Sequence, residues 1–64
     1  MGDKSQQKKS YIVETARGVF ATKGYKEVTM KDIVEACEIS RGGLYLYYNN
    51  TAEIFRDLLK MESR

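Results

Sequence analysis

The stretch from Thr29 to Thr51, TMKDIVEACEISRGGLYLYYNNT, limits the fold more than any other part of this chain. It reads as a short helix, a tight turn and a second short helix crowded with small, basic and aromatic residues. Thr29 stands where an N-cap is needed, and Asp32 follows three residues later as a capping-box acid, although Asp fits that place less well than Glu or Gln. Met30, Ile33, Val34 and Cys37 then fall at i, i+3, i+4 and i+7, which is the apolar face of a short amphipathic helix. Cys37 reads most simply as a small buried residue closing that face. Glu38-Ile39 is the turn, with Ile39 as its hydrophobic anchor. Ser40 is the next N-cap. The helix that it opens is predicted over 41–48 and is broken by Asn49-Asn50, which both tolerate turn conformations.

The remainder of the chain is also helical in pattern. Residues 1–9 are polar and basic and read as a flexible N-terminal arm. From Tyr11 the pattern turns helical, and Ile12, Ala16, Val19 and Phe20 share one face. Lys23-Gly24 ends that helix, with a cation in its last turn and glycine at a left-handed position. Gly18 within it either permits a close helix crossing or is incidental. Tyr25 to Val28 is a short connector. Asn50 or Thr51 caps a fourth helix, in which Glu53 suits the first turn and Ile54, Phe55, Leu58, Leu59 and Met61 form an apolar stripe. No glycine or proline stop signal follows, so this helix is expected to continue past Arg64. The one aromatic run, Leu44 to Tyr48, would be a lone strand with nothing to pair with. The chain is therefore expected to be all-α, a three-helix domain over 10–50 with a helix-turn-helix at about 29–48, and the start of a fourth helix over 51–64.

Composition removes most competing chemistries. A 64-residue chain holds one domain at most, and a single cysteine leaves no disulfide to staple it. With one cysteine and no histidine, a structural zinc is not expected, and no other metal or cofactor is implied. There is no catalytic pairing: no histidine, no plausible carboxylate pair and no phosphate-loop motif, so an enzyme is not expected. One cysteine and no signal-peptide pattern suggest a cytoplasmic setting. No apolar run approaches the roughly 18 residues of a membrane span. The net charge of +2 is uneven: residues 1–31 carry seven Lys/Arg against three Asp/Glu, and residues 32–64 carry four against six. Such a basic half suits either a phosphate backbone or an ordinary solvated helix face.

The start of the third helix carries the functional signal. Ser40-Arg41-Gly42-Gly43 is an unfavourable way to begin a helix, because two glycines cost roughly 2 kcal/mol against alanines. Glycine lets a backbone approach another surface closely, and bare amides at a helix start attract phosphate. Arg41 can contact guanine O6 and N7 in bidentate fashion. The Tyr45 and Tyr47 hydroxyls can donate to phosphates, and their rings can touch thymine methyls. Leu44 and Tyr48, at i and i+4, face the core. Tyr45 is open between a buried hydroxyl and a phosphate contact, and Lys31 between a phosphate or base contact and solvent. Two short helices about a turn, the second so equipped, form the pattern of a helix-turn-helix that enters a DNA groove. The same tyrosines and arginine would also suit a helical module that binds protein, since both types are frequent hot-spot residues.

These residues resemble a known family. Ile12, Ala16-Arg17, Phe20, Lys23-Gly24-Tyr25, Thr29, Asp32-Ile33, Ile39-Ser40-Arg41-Gly42, Leu44-Tyr45 and Tyr47-Tyr48 are similar, in order and over about residues 10–60, to the N-terminal domain of the TetR family of bacterial repressors. The resemblance implies a homeodomain-like three-helix DNA-binding domain, whose fourth helix leads into a helical ligand-binding and dimerisation domain. It implies a dimer on a palindromic double-stranded DNA operator, released by a small-molecule inducer that binds the further domain. It places Thr29 on a phosphate, Lys31 near base edges, and Ser40, Arg41, Gly42 and Gly43 at the groove-facing start of the recognition helix. Tyr45 and Tyr47 would bind phosphates, and Tyr48 would take the family's core aromatic place. Three positions depart from the pattern. Glu38 replaces a small residue or glycine, which points to a turn formed differently. Tyr47 replaces histidine and keeps a donor without the charge. Thr51 replaces a lysine at the start of the fourth helix; it can still bond a phosphate but lacks the ionic attraction.

Overall fold

A computed structural model describes residues 4–62. Four α-helices follow one another: α1 (Lys4–Lys23), α2 (Met30–Cys37), α3 (Arg41–Tyr45) and α4 (Thr51–Glu62), with a single 3₁₀ turn at Tyr25–Glu27 between the first two. No strand occurs among the described residues. Helix α1 packs against both α2 and α4, and α2 packs against α3.

The apolar periodicities read from the sequence fold inward, except that Leu59 of the α4 stripe is 52% exposed. Ile12, Val13, Ala16 and Phe20 of α1 meet Ile33 and Cys37 of α2, Leu44 of α3, and Ile54 and Leu58 of α4. Val28 and Tyr48, from the connections, complete this core, and it contains no polar or charged side chain other than the Tyr48 phenol. Burial raises the pKa of the Cys37 thiol, against a smaller opposing hydrogen bond from Thr15, which fits a packing role. Phe20, Tyr25 and Phe55 form a ring trio that ties the end of α1 and the 3₁₀ turn to α4. Phe20 and Phe55 meet edge to face at 5.3 Å, and Tyr25 lies 4.7 Å from Phe55.

Three local expectations need correction. Helix α1 begins at Lys4, so residues 4–9 are helical rather than an arm; Met1–Asp3 lie outside the described residues. The apolar pattern starts only at Tyr11, but the Lys and Gln residues before it are good helix formers and no glycine or proline interrupts them. Gly24 has φ 89° and ψ 143°, a positive φ but not the left-handed helical position expected. Helix α3 ends at Tyr45, not at residue 48. Its last turn tightens, with the Tyr47 and Tyr48 amides both donating to the Leu44 carbonyl at 3.0 Å. That turn carries Tyr48 into the core, where its hydroxyl donates to Asp57 Oδ2 at 2.7 Å. Gly18 leaves open space where a Cβ would be, so no close helix crossing needs it.

The turn between α2 and α3 takes the standard left-handed form without glycine. Glu38 adopts φ 58° and ψ 42°. The Ile39 amide donates back to the Val34 carbonyl at 3.4 Å and the Glu38 amide to the Glu35 carbonyl at 3.3 Å, which is the paired pattern of a Schellman motif. Val34 and Ile39, the residues such a motif brings together, are both packed against the core. This conformation costs a residue with a Cβ about 1–2 kcal/mol, whereas for glycine the cost lies mainly in unfolded-chain entropy. Glu38→Gly is therefore expected to stabilise the domain by about 0.5–1 kcal/mol. A urea melt checks this; a lower midpoint for the variant would show that the glutamate side chain contributes something the turn geometry does not.

Candidate nucleic-acid interface

The candidate side chains collect at the starts of α2, α3 and α4 and at the end of α3. At α2, Thr29 Oγ1 accepts from the Asp32 amide at 3.2 Å, and Asp32 Oδ2 accepts from the Thr29 amide at 3.0 Å. This completes the capping box expected from the sequence. Lys23 Nζ donates to the same Oδ2 at 2.9 Å. The Lys23 hydrogen bond, and after it the Thr29 amide, hold the Asp32 carboxyl below the usual carboxylate range. The Thr29 hydroxyl is used here as an acceptor, so its proton is available to an outside oxygen. Lys31, one residue into α2, is exposed and makes no ion pair among the described residues.

At α3, Ser40 Oγ accepts from the Gly43 amide at 3.0 Å, and again the hydroxyl proton is left to point outward. A Cβ at Gly43 would stand 3.0 Å from that Oγ, so glycine here makes room for the cap. Gly42 differs: a Cβ there would meet nothing within 4 Å. The chain's own packing gives no reason for glycine at 42. Arg41 beside it is exposed and unpaired among the described residues. The start of α3 thus presents a bare backbone and a guanidinium fork to whatever lies outside.

Tyr45, open between two roles in the sequence, is 44% exposed, and its hydroxyl makes no hydrogen bond among the described residues. Tyr47 is half-buried. Tyr48 and Leu44 are core residues, as expected. Burial, and then the Asp57 carboxylate, push the Tyr48 phenol well above its ordinary pKa. Thr51 is the first residue of α4 and is half-buried; the Asn50 side chain caps that helix, accepting from the Glu53 amide at 3.0 Å.

Gly43 and Tyr47 come together along an open cleft of about 520 Å³ whose opposite wall is α1. Tyr11 and Ile12 form part of that wall, and Ile39 closes the cleft toward the turn. Thr29, Lys31 and Thr51 do not line it. The Tyr11 hydroxyl donates to the Cys37 carbonyl at 2.9 Å and so fixes α1 to the end of α2. Sequence reasoning gave Tyr11 no role beyond starting a helix. No short-range signal announces a bond between residues 26 positions apart.

Residues 12–58 match the family model described as bacterial regulatory proteins, tetR family. An uncharacterised helix-turn-helix transcriptional regulator of Bacillus subtilis, YfiR, is 44% identical over 54 residues, 84% of this chain and 26% of the relative. The transcriptional regulator TtgR of Pseudomonas putida is 33% identical over 57 residues, 89% of this chain and 27% of the relative. The negative regulator IcaR of the icaADBC biofilm operon of Staphylococcus epidermidis is 38% identical over 48 residues, 75% of this chain and 26% of the relative. The chain spans about a quarter of the length of these relatives.

Proposed function

This chain belongs to the tetR family of bacterial regulatory proteins, and from that premise we propose that it is the DNA-binding part of a sequence-specific transcription regulator. The protein acts as a homodimer on a palindromic double-stranded operator, and a small ligand bound in a further C-terminal domain releases it. Dimerisation also belongs to that domain. Repression is the favoured direction, because relatives are named as a negative regulator and as a probable operon repressor. The observation that carries the reading is the start of α3: Arg41 exposed and without an ion pair among the described residues, next to a glycine over which there is open space. In a free monomer Gly42 weakens the helix with no compensating contact, whereas a helix laid in the major groove gains close backbone approach.

Arg41 reads base edges. The Ser40 and Thr29 hydroxyls and the Gly42 amide hold phosphates, and Tyr45, Tyr47 and Thr51 add further donors along the strand. Lys31 supplies an ionic contact at the start of α2. Two copies of α3 in a symmetric dimer would read half-sites about 34–36 Å apart. The test is fluorescence anisotropy of the full-length protein on DNA from immediately upstream of its own gene, against a scrambled duplex of equal composition. Preference for the upstream DNA, with affinity falling steeply as salt rises, supports the proposal. Equal, salt-indifferent binding to both, or none, overturns it and turns the tyrosine-rich surface toward a protein partner.

Gly42→Ala separates the two demands on that residue. Alanine is the better helix former and has room, so stability is expected to rise by up to about 1 kcal/mol. The added methyl stands between backbone and groove, so operator affinity is expected to fall by at least roughly tenfold, about 1.4 kcal/mol. A urea melt and the anisotropy titration measure both. A variant that is more stable and binds undiminished would sink the close-approach argument for Gly42.

A further inference from the structure

The cleft beside Tyr47 and Gly43 extends the candidate interface to a residue that the start of α3 does not contain. Its α1 wall is continued by Gln7 and Lys8, one turn before Tyr11 and Ile12. Lys8 is exposed and has no ion pair among the described residues. Lys9, its neighbour in sequence, faces elsewhere. Lys9 Nζ lies 5.9 Å from the centre of the Tyr48 ring, and it lines a separate depression with Val13, Tyr48 and Asp57. Successive residues on an α-helix point about 100° apart, so two adjacent lysines serve two different surfaces. This distinction exists only because α1 runs back to Lys4 and fixes both directions.

We propose that Lys8 is a phosphate-contacting residue, and that one DNA strand passes over the mouth of this cleft between α1 and α3. The inference rests on the DNA-binding reading and adds α1 to the surface it uses. Charge complementarity selects the occupant. The mouth carries the Lys8 ammonium, and no carboxylate of the described residues lines the cleft to offset it. The walls are largely apolar and include the Tyr11 and Tyr47 side chains, whose rings suit deoxyribose better than a second charged group. The Tyr11 hydroxyl is held by Cys37, so this ring offers its apolar surface to the strand. Lys8 contributes position and affinity but no sequence choice, since phosphates carry none.

The experiment compares Lys8→Ala with Lys9→Ala in the full-length protein. Anisotropy titrations run at several salt concentrations, on the upstream duplex and on its scrambled counterpart. Both variants lose one positive charge per chain, so diffuse electrostatics affects them equally. Lys8→Ala is expected to lower the salt slope by about one unit for each Lys8 in contact, and to weaken binding to both duplexes by the same factor. Lys9→Ala is expected to lower the slope by much less than one unit, through diffuse electrostatics alone. Equal reductions in both variants, or no reduction in Lys8→Ala, overturn the proposal while wild-type binding still supports the regulator reading. A wild-type protein without salt-dependent DNA binding overturns that reading, and the Lys8 proposal with it. Circular dichroism on both variants accompanies the titrations; unfolding of Lys8→Ala would give Lys8 a structural role and would also count against the proposal.

Discussion

Arg41→Ala is expected to abolish discrimination between the operator and scrambled DNA while leaving the fold intact. The side chain is exposed and makes no ion pair among the described residues, so nothing in the core depends on it. Its removal exposes no buried partner, and stability is expected to stay within about 0.5 kcal/mol of wild type. The guanidinium fork matches the two acceptors of guanine in the major groove, and such a pair is worth about 1–3 kcal/mol against the wrong base. That is roughly 5- to 150-fold for each Arg41 in contact, and a symmetric dimer holds two. A lysine in its place would keep the charge but lose the fork. Arg41→Lys is therefore expected to retain most salt-dependent affinity and lose most specificity. Anisotropy on operator and scrambled duplexes measures both effects. An Arg41→Ala protein that still prefers the operator at wild-type strength would move base readout to another side chain, with Lys31 and Tyr45 next in line.

How much of this was visible beforehand depends on whether the signal was local. The capping box at Thr29 and Asp32, the Ser40 cap and the core faces of α2 and α4 rest on spacings of three and four residues, and the sequence displays them directly. The extent of α1 does not show in the apolar pattern, because its first turns are supported by helix propensity and bury little. The early end of α3 leaves no mark in the apolar spacing. Leu44 and Tyr48 stay on the core side and the Tyr48 amide still donates to the Leu44 carbonyl, while the Tyr47 amide, donating to the same carbonyl, tightens the last turn. Glu38 is the opposite case. Its identity suggests a different turn, yet backbone pairing with Val34 and Glu35 imposes the left-handed geometry over the residue's own preference.

The candidate site divides in the same way. The residue types at Arg41, Gly42 and Gly43 were legible as chemistry, because glycine at a helix start has no local justification. Their different reasons were not. Only the structure distinguishes Gly43, which clears space for the Ser40 hydroxyl, from Gly42, which clears space for nothing in this chain. The pairing of Tyr47 with the α1 wall joins distant parts of the sequence and leaves no periodic trace. A sequence can rank residues by what they could bond. It takes the fold to show which of those bonds the protein has already used, as with the Tyr11 and Tyr48 hydroxyls, and which remain for a partner.

Leu44→Ala is expected to produce the largest stability loss, and to lose DNA binding for a reason opposite to Arg41→Ala. Helix α3 has only five residues, far below the length at which a helix holds itself together in water. Leu44 is its one buried side chain and is fully shielded from solvent. Its carbonyl also receives the amides of Tyr47 and Tyr48, so the turn that delivers Tyr48 to the core hangs on the same residue. Truncation removes the anchor and leaves a cavity among Leu44's core neighbours. Leucine-to-alanine changes of this kind cost about 2–5 kcal/mol. A domain of this size loses roughly 4–8 °C per kcal/mol, so the melting temperature should fall by about 10 °C or more. Amide exchange gives the sharper reading. Protection of the Tyr47 and Tyr48 amides should drop first and furthest, while the α1–α2 contact, held by Ile12 and Ile33, keeps more of its protection. Operator binding should fail together with that local protection, and lower temperature should partly restore it; no such rescue is expected for Arg41→Ala. A Leu44→Ala protein with unchanged Tyr47 and Tyr48 protection would mean that α3 is held by something other than its single buried leucine.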